Sequence, residues 1–271
     1  MLADFARNGF IIIRETFCSE ELGRILACVE RSRDFQKAQF KVADCEGRKF
    51  DQSQWSEVGS DVLGAAARTE KVSQVATELL GRGELYLFSA KLIMKPPATG
   101  GGLIWHQDYG YWYNNGCLFP DFVMCFVALT KNDRENGGLQ VLKGSHACGR
   151  LEHFRQSDQT GADLKRVALL EQILERVHCD LKPGDVIFFH GNLLHCSSPN
   201  QSLHRRWNLI FSFNAVSNSP PDQSKNYNNN YNPSTRLDIL PQDAVLKCEA
   251  LDMEARTFLD PSVNHNISFS K

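Results

Sequence analysis

The sequence predicts a mainly β fold, an antiparallel sandwich or barrel with its helices gathered near the N-terminal end. Three observations lead there. Beyond Glu84 the apolar residues fall into short runs rich in β-branched and aromatic side chains, such as DFVMCFVALT and DVIFFH. Clusters of Gly, Pro, Asn and Asp separate these runs. Helical periodicity does not alternate with them, as a Rossmann-type parallel sheet would require.

The elements follow in chain order. GFIIIRETF reads as a strand. Ser19 is placed to cap a helix with Glu20 and Glu21 in its first turn and Leu22, Ile25, Leu26 and Val29 along one face. The polar stretch from Asp34 to Ser60 reads as irregular. A second helical face, Val72, Val75, Ala76, Leu79 and Leu80, ends at Gly81. ELYLFSAKLIMK, halted by Pro96 and Pro97, then DFVMCFVALT, GGLQVLKGSH, DVIFFH and RRWNLIFSFNAV supply the strands. A helical insertion over about residues 163–177 interrupts them. SNSPPDQSKNYNNNYNPS is a low-complexity loop, and whether its Asn-rich part, residues 218–234, closes over a site stays open. One domain, residues 1–271, with a β core over about residues 84–216, accounts for the chain.

Composition narrows the function. A net charge of −2 gives no global attraction to nucleic acid or an anionic membrane surface. The N-terminal segment holds only a four-residue apolar run, too short for a signal peptide or a membrane span. Nine cysteines at irregular spacings, with no CxxC pair, read as reduced thiols. A cytoplasmic enzyme is expected, with peroxisomal or mitochondrial placement and the oligomeric state left open.

The chemistry centres on WHQD. On a strand, His106 and Asp108 project to one face and can supply adjacent ligands to one metal. GDVIFFHGNLLHCSS offers a third ligand, His190 or His195. Two histidines and a carboxylate leave coordination positions open for a 2-oxo acid and dioxygen, as in non-haem Fe(II) oxygenases. The same ligands also suit zinc hydrolysis. In HRRWNLIFSFNAV, Trp207, Leu209, Phe211 and Phe213 share one face, and Arg206, Asn208, Ile210 and Ser212 the other. Arg206 fits the far carboxylate of 2-oxoglutarate, or else lies at the solvent face of an edge strand. The remaining histidines, including His146 in KGSH, and Cys196 read as structural.

WHQD, NGGLQVLKGSH, KPGDVIFFHGNLLHCSSPN and HRRWNLIFSF together resemble the phytanoyl-CoA dioxygenase family of Fe(II)/2-oxoglutarate oxygenases, and FARNGFIIIRETFCSEEL resembles its N-terminal start. The resemblance implies a double-stranded β-helix, a jelly-roll barrel buttressed by N-terminal helices. It implies His106, Asp108 and His195 as iron ligands, choosing His195 over His190, and Arg206 and Ser197 as holders of the far carboxylate of 2-oxoglutarate. Lys91 is carried over as a further cofactor contact. Fe(II), 2-oxoglutarate and dioxygen are the implied cofactors, with ascorbate as a supporting reductant. Family halogenases lack the carboxylate, so Asp108 implies hydroxylation.

The substrate is expected to be a small polar or zwitterionic metabolite. On a continuing strand Trp112 would share the face of His106 and Asp108, with Tyr109, Tyr111 and Tyr113 turned away. Ectoine hydroxylase members of the family have a substrate-contacting tryptophan at the place of Trp112 and an aromatic at that of Phe189. An aromatic wall suits a cationic group. Val127 departs from the tryptophan of human-type members, which points to a different substrate. A fatty acyl-CoA hydroxylase, a Zn(II)- or Mn(II)-dependent hydrolase or isomerase, and a catalytically idle interaction module are the alternatives.

Overall fold

Alternation within the long strands divides their side chains between two cores, and that division positions everything else. The computed structural model describes residues 1–156, 159–220, 237–254 and 256–259. Helix α1 (Leu2–Asn8) leads into β1 (Phe10–Ile13), α2 (Ser19–Arg31) and α3 (Arg33–Lys37). A hairpin of β2 (Phe40–Ala43) and β3 (Lys49–Trp55) precedes α4 (Val62–Arg68) and α5 (Val75–Leu80). Then come β4 (Leu85–Lys95), β5 (Leu103–His106), α6 (Asp108–Trp112), β6 (Phe122–Ala128) and β7 (Leu139–Leu142). The chain continues through β8 (His153–Gln156), β9 (Gln159–Ala162), α7 (Leu164–Leu170), β10 (Arg176–His178), β11 (Val186–His190), β12 (His195–Ser197) and β13 (Arg206–Ala215).

Seven strands form one antiparallel sheet in the order β1-β11-β6-β13-β4-β3-β2, and four form a second in the order β10-β7-β12-β5. Val123, Cys125, Val127, Phe188, Leu209, Phe211 and Phe213 leave the outer face of the large sheet and meet Leu22, Ile25, Val29, Val62, Ala66 and Ala76 of the helices. Phe122, Met124, Phe126, Ile187 and Phe189 leave its inner face and form the second core with Leu139 and Val141 of the small sheet. Strands buried on both faces read as unbroken apolar runs, which is why FVMCFVA, the strand within DFVMCFVALT, carries no polar position. No described helix is long and apolar enough to cross a membrane.

The predicted strands and the helix ending at Gly81, whose φ is 62°, are present. Several expectations are corrected. The N-cap of α2 is Cys18, one residue before Ser19, because Glu21 reaches back to accept from the Cys18 N–H at 2.9 Å. Residues 34–60 are not irregular: the β2–β3 hairpin extends the large sheet. The helical insertion is shorter than expected and gives way to β10, which pairs with β7. Val127 faces the outer core, so its departure from tryptophan does not touch the inner face; Phe126 does. Of the Asn-rich loop, residues 221–236 lie outside the described residues.

One buried ion pair ties the helical layer to the C-terminal segment. Asp61 caps α4 by accepting from the Leu63 and Gly64 N–H groups, both at 3.0 Å, and also accepts from the Asp252 N–H at 2.8 Å. Arg256, its side chain fully buried, pairs with the same carboxylate. Asp61→Ala is expected to cost about 3–5 kcal/mol, because it strands that guanidinium as well as removing the cap. Urea unfolding measures this; a loss below about 1 kcal/mol would contradict it.

Candidate metal centre and its pocket

The antiparallel register of β12 against β5 sets His195 opposite His106. Their ring centroids lie 4.0 Å apart, tilted by 52°. Each Nδ1 faces a carbonyl two residues back in its own chain, Ile104 at 2.8 Å and Leu193 at 2.9 Å. Each Nδ1–H donates there, so both Nε2 lone pairs project inward. The Asp108 carboxylate completes the group, with Oδ1 at 4.0 Å from His106 Nε2 and Oδ2 at 3.8 Å from His195 Nε2. The ligand atoms of the three lie within 4.8 Å of one another, and all three residues are buried.

Electrostatics suits a cation. Burial drives the His106 imidazole down to about 3 and lowers that of His195, so both stay neutral lone-pair donors at neutral pH. Burial alone would raise the Asp108 carboxyl. His195 once protonated at low pH, the Lys91 ammonium, His106 in the same way and the Tyr111 hydrogen bond outweigh that penalty and hold the group below its ordinary value.

A strand followed by a helix turn builds this corner. β5 stops at His106, and Asp108 opens α6, so the parity drawn from a continuing strand fails at Gln107. At helical spacing Tyr111 comes back over Asp108, and its hydroxyl donates to Oδ1. Tyr111 therefore belongs to the site beside Trp112, and only Tyr109 and Tyr113 turn elsewhere. Gln107, absent from the expected set, bolts the corner. Its Nε2 donates to the Gly149 and Asn192 carbonyls at 2.8 and 2.7 Å, its Oε1 accepts from the Leu151 N–H at 2.7 Å, and its own N–H donates to His153 Nε2 at 2.9 Å. The His153 ring lies so close to Gly110 that a Cβ there would come within 2.0 Å of it. His190 stands apart, packed between Phe5 and His146, and burial drives its imidazole down to about 4.

The metal corner opens into a cavity of about 190 Å³ between the sheets, lined among others by Phe189, Trp112, Ser197, Arg206 and Lys91. Arg206 is not at a solvent face: it is 1% exposed. Its Nε donates to Asn132 Oδ1 at 2.9 Å, and the Asn208 amide oxygen, turned toward the guanidinium, accepts from Nη2 at 2.9 Å. Nη1 is buried without a partner among the described residues, and burial lowers the guanidinium to about 9. Ser197 Oγ accepts from Lys95 Nζ at 2.8 Å, which leaves its own hydroxyl proton free to donate. Lys95, fully buried and opposite Arg206 in the register, was also not foreseen. Lys91 lines the cavity elsewhere, 5.9 Å from the ring centroids of both Tyr111 and Trp112. Burial pushes the Cys196 thiol up to about 12, which leaves no nucleophile there. Tyr111→Phe removes the hydrogen bond that orients Asp108. Mn(II) affinity, followed by calorimetry, is expected to fall about 10- to 100-fold, and unchanged affinity would refute the orienting role.

A family model described as Phytanoyl-CoA dioxygenase (PhyH) matches residues 5–207. The ectoine dioxygenase of Bordetella parapertussis is 30% identical over 239 residues, 82% of this chain and 77% of that relative. The L-proline trans-4-hydroxylase of Streptomyces griseoviridis is 30% identical over 176 residues, 59% of this chain and 65% of that relative. Among solved structures, EctD from S. alaskensis with 2-oxoglutarate and 5-hydroxyectoine is similar with a TM-score of 0.68 at 25% identity, covering 89% of this chain and 87% of that one. The two facing antiparallel sheets are the jelly-roll, double-stranded β-helix that the sequence motifs implied. Matched over most of its length by the family model, and by a relative across four fifths of it, the chain belongs to the phytanoyl-CoA dioxygenase family.

Proposed function

We propose that the chain is an Fe(II)- and 2-oxoglutarate-dependent dioxygenase that hydroxylates an unactivated C–H bond of a small polar or zwitterionic metabolite. One observation carries the reading. The His106–Asp108–His195 group shares a cavity with a buried guanidinium whose Nη1 has no partner among the described residues.

The residues fit the cofactors by their own chemistry. Two neutral imidazoles and one carboxylate are the donor set of a ferrous site with open positions. The unpaired Nη1 of Arg206 and the free hydroxyl proton of Ser197 suit one carboxylate of 2-oxoglutarate. Fe(II) with 2-oxoglutarate and dioxygen supplies the oxidising power for C–H hydroxylation, leaving succinate and carbon dioxide. The chain binds, orients and excludes water. His106 and His195 are fixed by their backbone carbonyls, Asp108 by Tyr111, and Arg206 by Asn132 and Asn208. Phe126, Phe189, Ile93, Ile210 and Leu139 wall the cavity with apolar surface.

The substrate class follows the relatives whose names are ectoine dioxygenase and L-proline trans-4-hydroxylase. The cavity agrees: about 190 Å³ is small beside the several hundred cubic ångströms, roughly 300–1,000, usual for ligand pockets. That volume favours a compact metabolite over a fatty acyl-CoA. Trp112 and Phe189 stand at the metal corner as substrate-facing rings, Phe189 with its centroid 4.8 Å from that of His195.

Succinate release should require added Fe(II) and 2-oxoglutarate and stop on chelation. Arg206→Met should weaken 2-oxoglutarate binding to the Mn(II) form about 10- to 100-fold, the value of a charge-assisted hydrogen-bond pair. Release that survives chelation, or unchanged 2-oxoglutarate affinity in the variant, would overturn the assignment.

A further inference from the structure

The Lys91 ammonium is the loose end of the cavity. It sits on the inner face of β4 and lines the pocket, yet no hydrogen bond or ion pair joins it to any described residue. Its nearest aromatic neighbours are Tyr111 and Trp112, whose centroids lie at 5.9 Å, within the range of cation–π attraction. The wall that sequence alone offered to a cationic group of the substrate is therefore already faced by the protein's own cation.

Register keeps Lys91 away from the cofactor's anchor. Arg206 stands opposite Lys95, whereas Lys91 stands opposite Ile210, four residues further along both strands. That separation is about 13 Å of strand, so Lys91 and Arg206 are not placed to hold one carboxylate. Charge accounting agrees, resting on the function proposed above. Fe(II) with the Asp108 carboxylate leaves one positive charge. The two carboxylates of 2-oxoglutarate match that charge and Arg206. Lys95 is not part of the lining: it donates to Ser197 and to the Ser198 carbonyl, and burial drives its ammonium well below the usual range. Of the cations in the lining Lys91 remains, and among the described lining residues Asp108 is the one acid.

We propose that Lys91 anchors the substrate through an anionic group, so that the metabolite hydroxylated is a compact carboxylic or amino acid and not an organic cation. One ammonium, with apolar walls and the neutral amides of Gln52 and Gln54 beside it, suits a single carboxylate. A coenzyme A phosphate array would need more cationic partners than the lining provides. Lys91 is thereby reassigned from cofactor to substrate.

The test uses the full chain loaded with Mn(II) and 2-oxoglutarate, with acetate as probe and acetamide as its uncharged counterpart. Mn(II)-induced relaxation of the probe's methyl protons reports binding inside the cavity. Wild-type protein should bind acetate saturably and acetamide at least tenfold more weakly. Lys91→Met should weaken acetate binding at least tenfold while leaving 2-oxoglutarate affinity within about threefold of wild type, which also verifies that the variant folds. Acetate binding that is absent, or equal in the variant, overturns the substrate anchor while the oxygenase reading stands. A loss of 2-oxoglutarate affinity in Lys91→Met as large as in Arg206→Met returns Lys91 to the cofactor. Failure of wild-type protein to bind 2-oxoglutarate sinks the oxygenase reading itself.

Discussion

The pairing of β12 with β5 is the constraint on which the site depends. It places His195 opposite His106 and leaves a third ligand to come from the residues just past β5. A slip of β12 by one residue would turn the His195 imidazole out of the cavity and away from His106, because side chains alternate along a strand. The register is protected from both sides. β12 is an interior strand, paired with β7 through Val141, Gln140 and Leu139 as well as with β5. Gln107 then fixes the chain immediately after His106 by four hydrogen bonds, so that Asp108 emerges at one height and one angle.

Around that register the protein tolerates a costly concentration of buried polarity. Arg206 and Lys95 lie side by side at 1% and 0% exposure, and neither has an acidic partner among the described residues. Burial, and then the charge of Arg206, drives the Lys95 ammonium well below its usual range. Buried cations of this kind destabilise a fold unless an anion joins them. The two apolar cores, on either face of the large sheet, supply the surplus that holds the arrangement in place. An anionic cosubstrate at Arg206 would therefore stabilise the protein as well as equip it.

What could be read from the sequence was what hydrophobic period encodes. Strands β4, β6, β7, β11 and β13 were visible because burial makes their runs largely apolar, and Arg206 was visible because RRWNLIFSF alternates cleanly. The β2–β3 hairpin was invisible for the converse reason. Its inward positions, Gln52 and Gln54, are polar because they line the cavity, so KFDQSQW lacks an apolar period. Tyr111 was misassigned because nothing in HQDYGYW announces a turn of helix around Gly110; packing against His153, not local propensity, decides it. Lys95 carried no signal: a lysine before Pro-Pro reads as a solvated strand end, and only the fold buries it beside Arg206.

The direct measurement is the visible charge-transfer absorption that forms when Fe(II) and 2-oxoglutarate are added without oxygen. Its appearance requires the 2-oxo acid to chelate iron held at the predicted site. Wild-type protein should develop the band. His106→Ala, Asp108→Ala and His195→Ala should each abolish it, while His190→Ala should retain it. A band that survives His195→Ala, or that disappears with His190→Ala in a protein that still folds, would contradict the assignment of the metal centre.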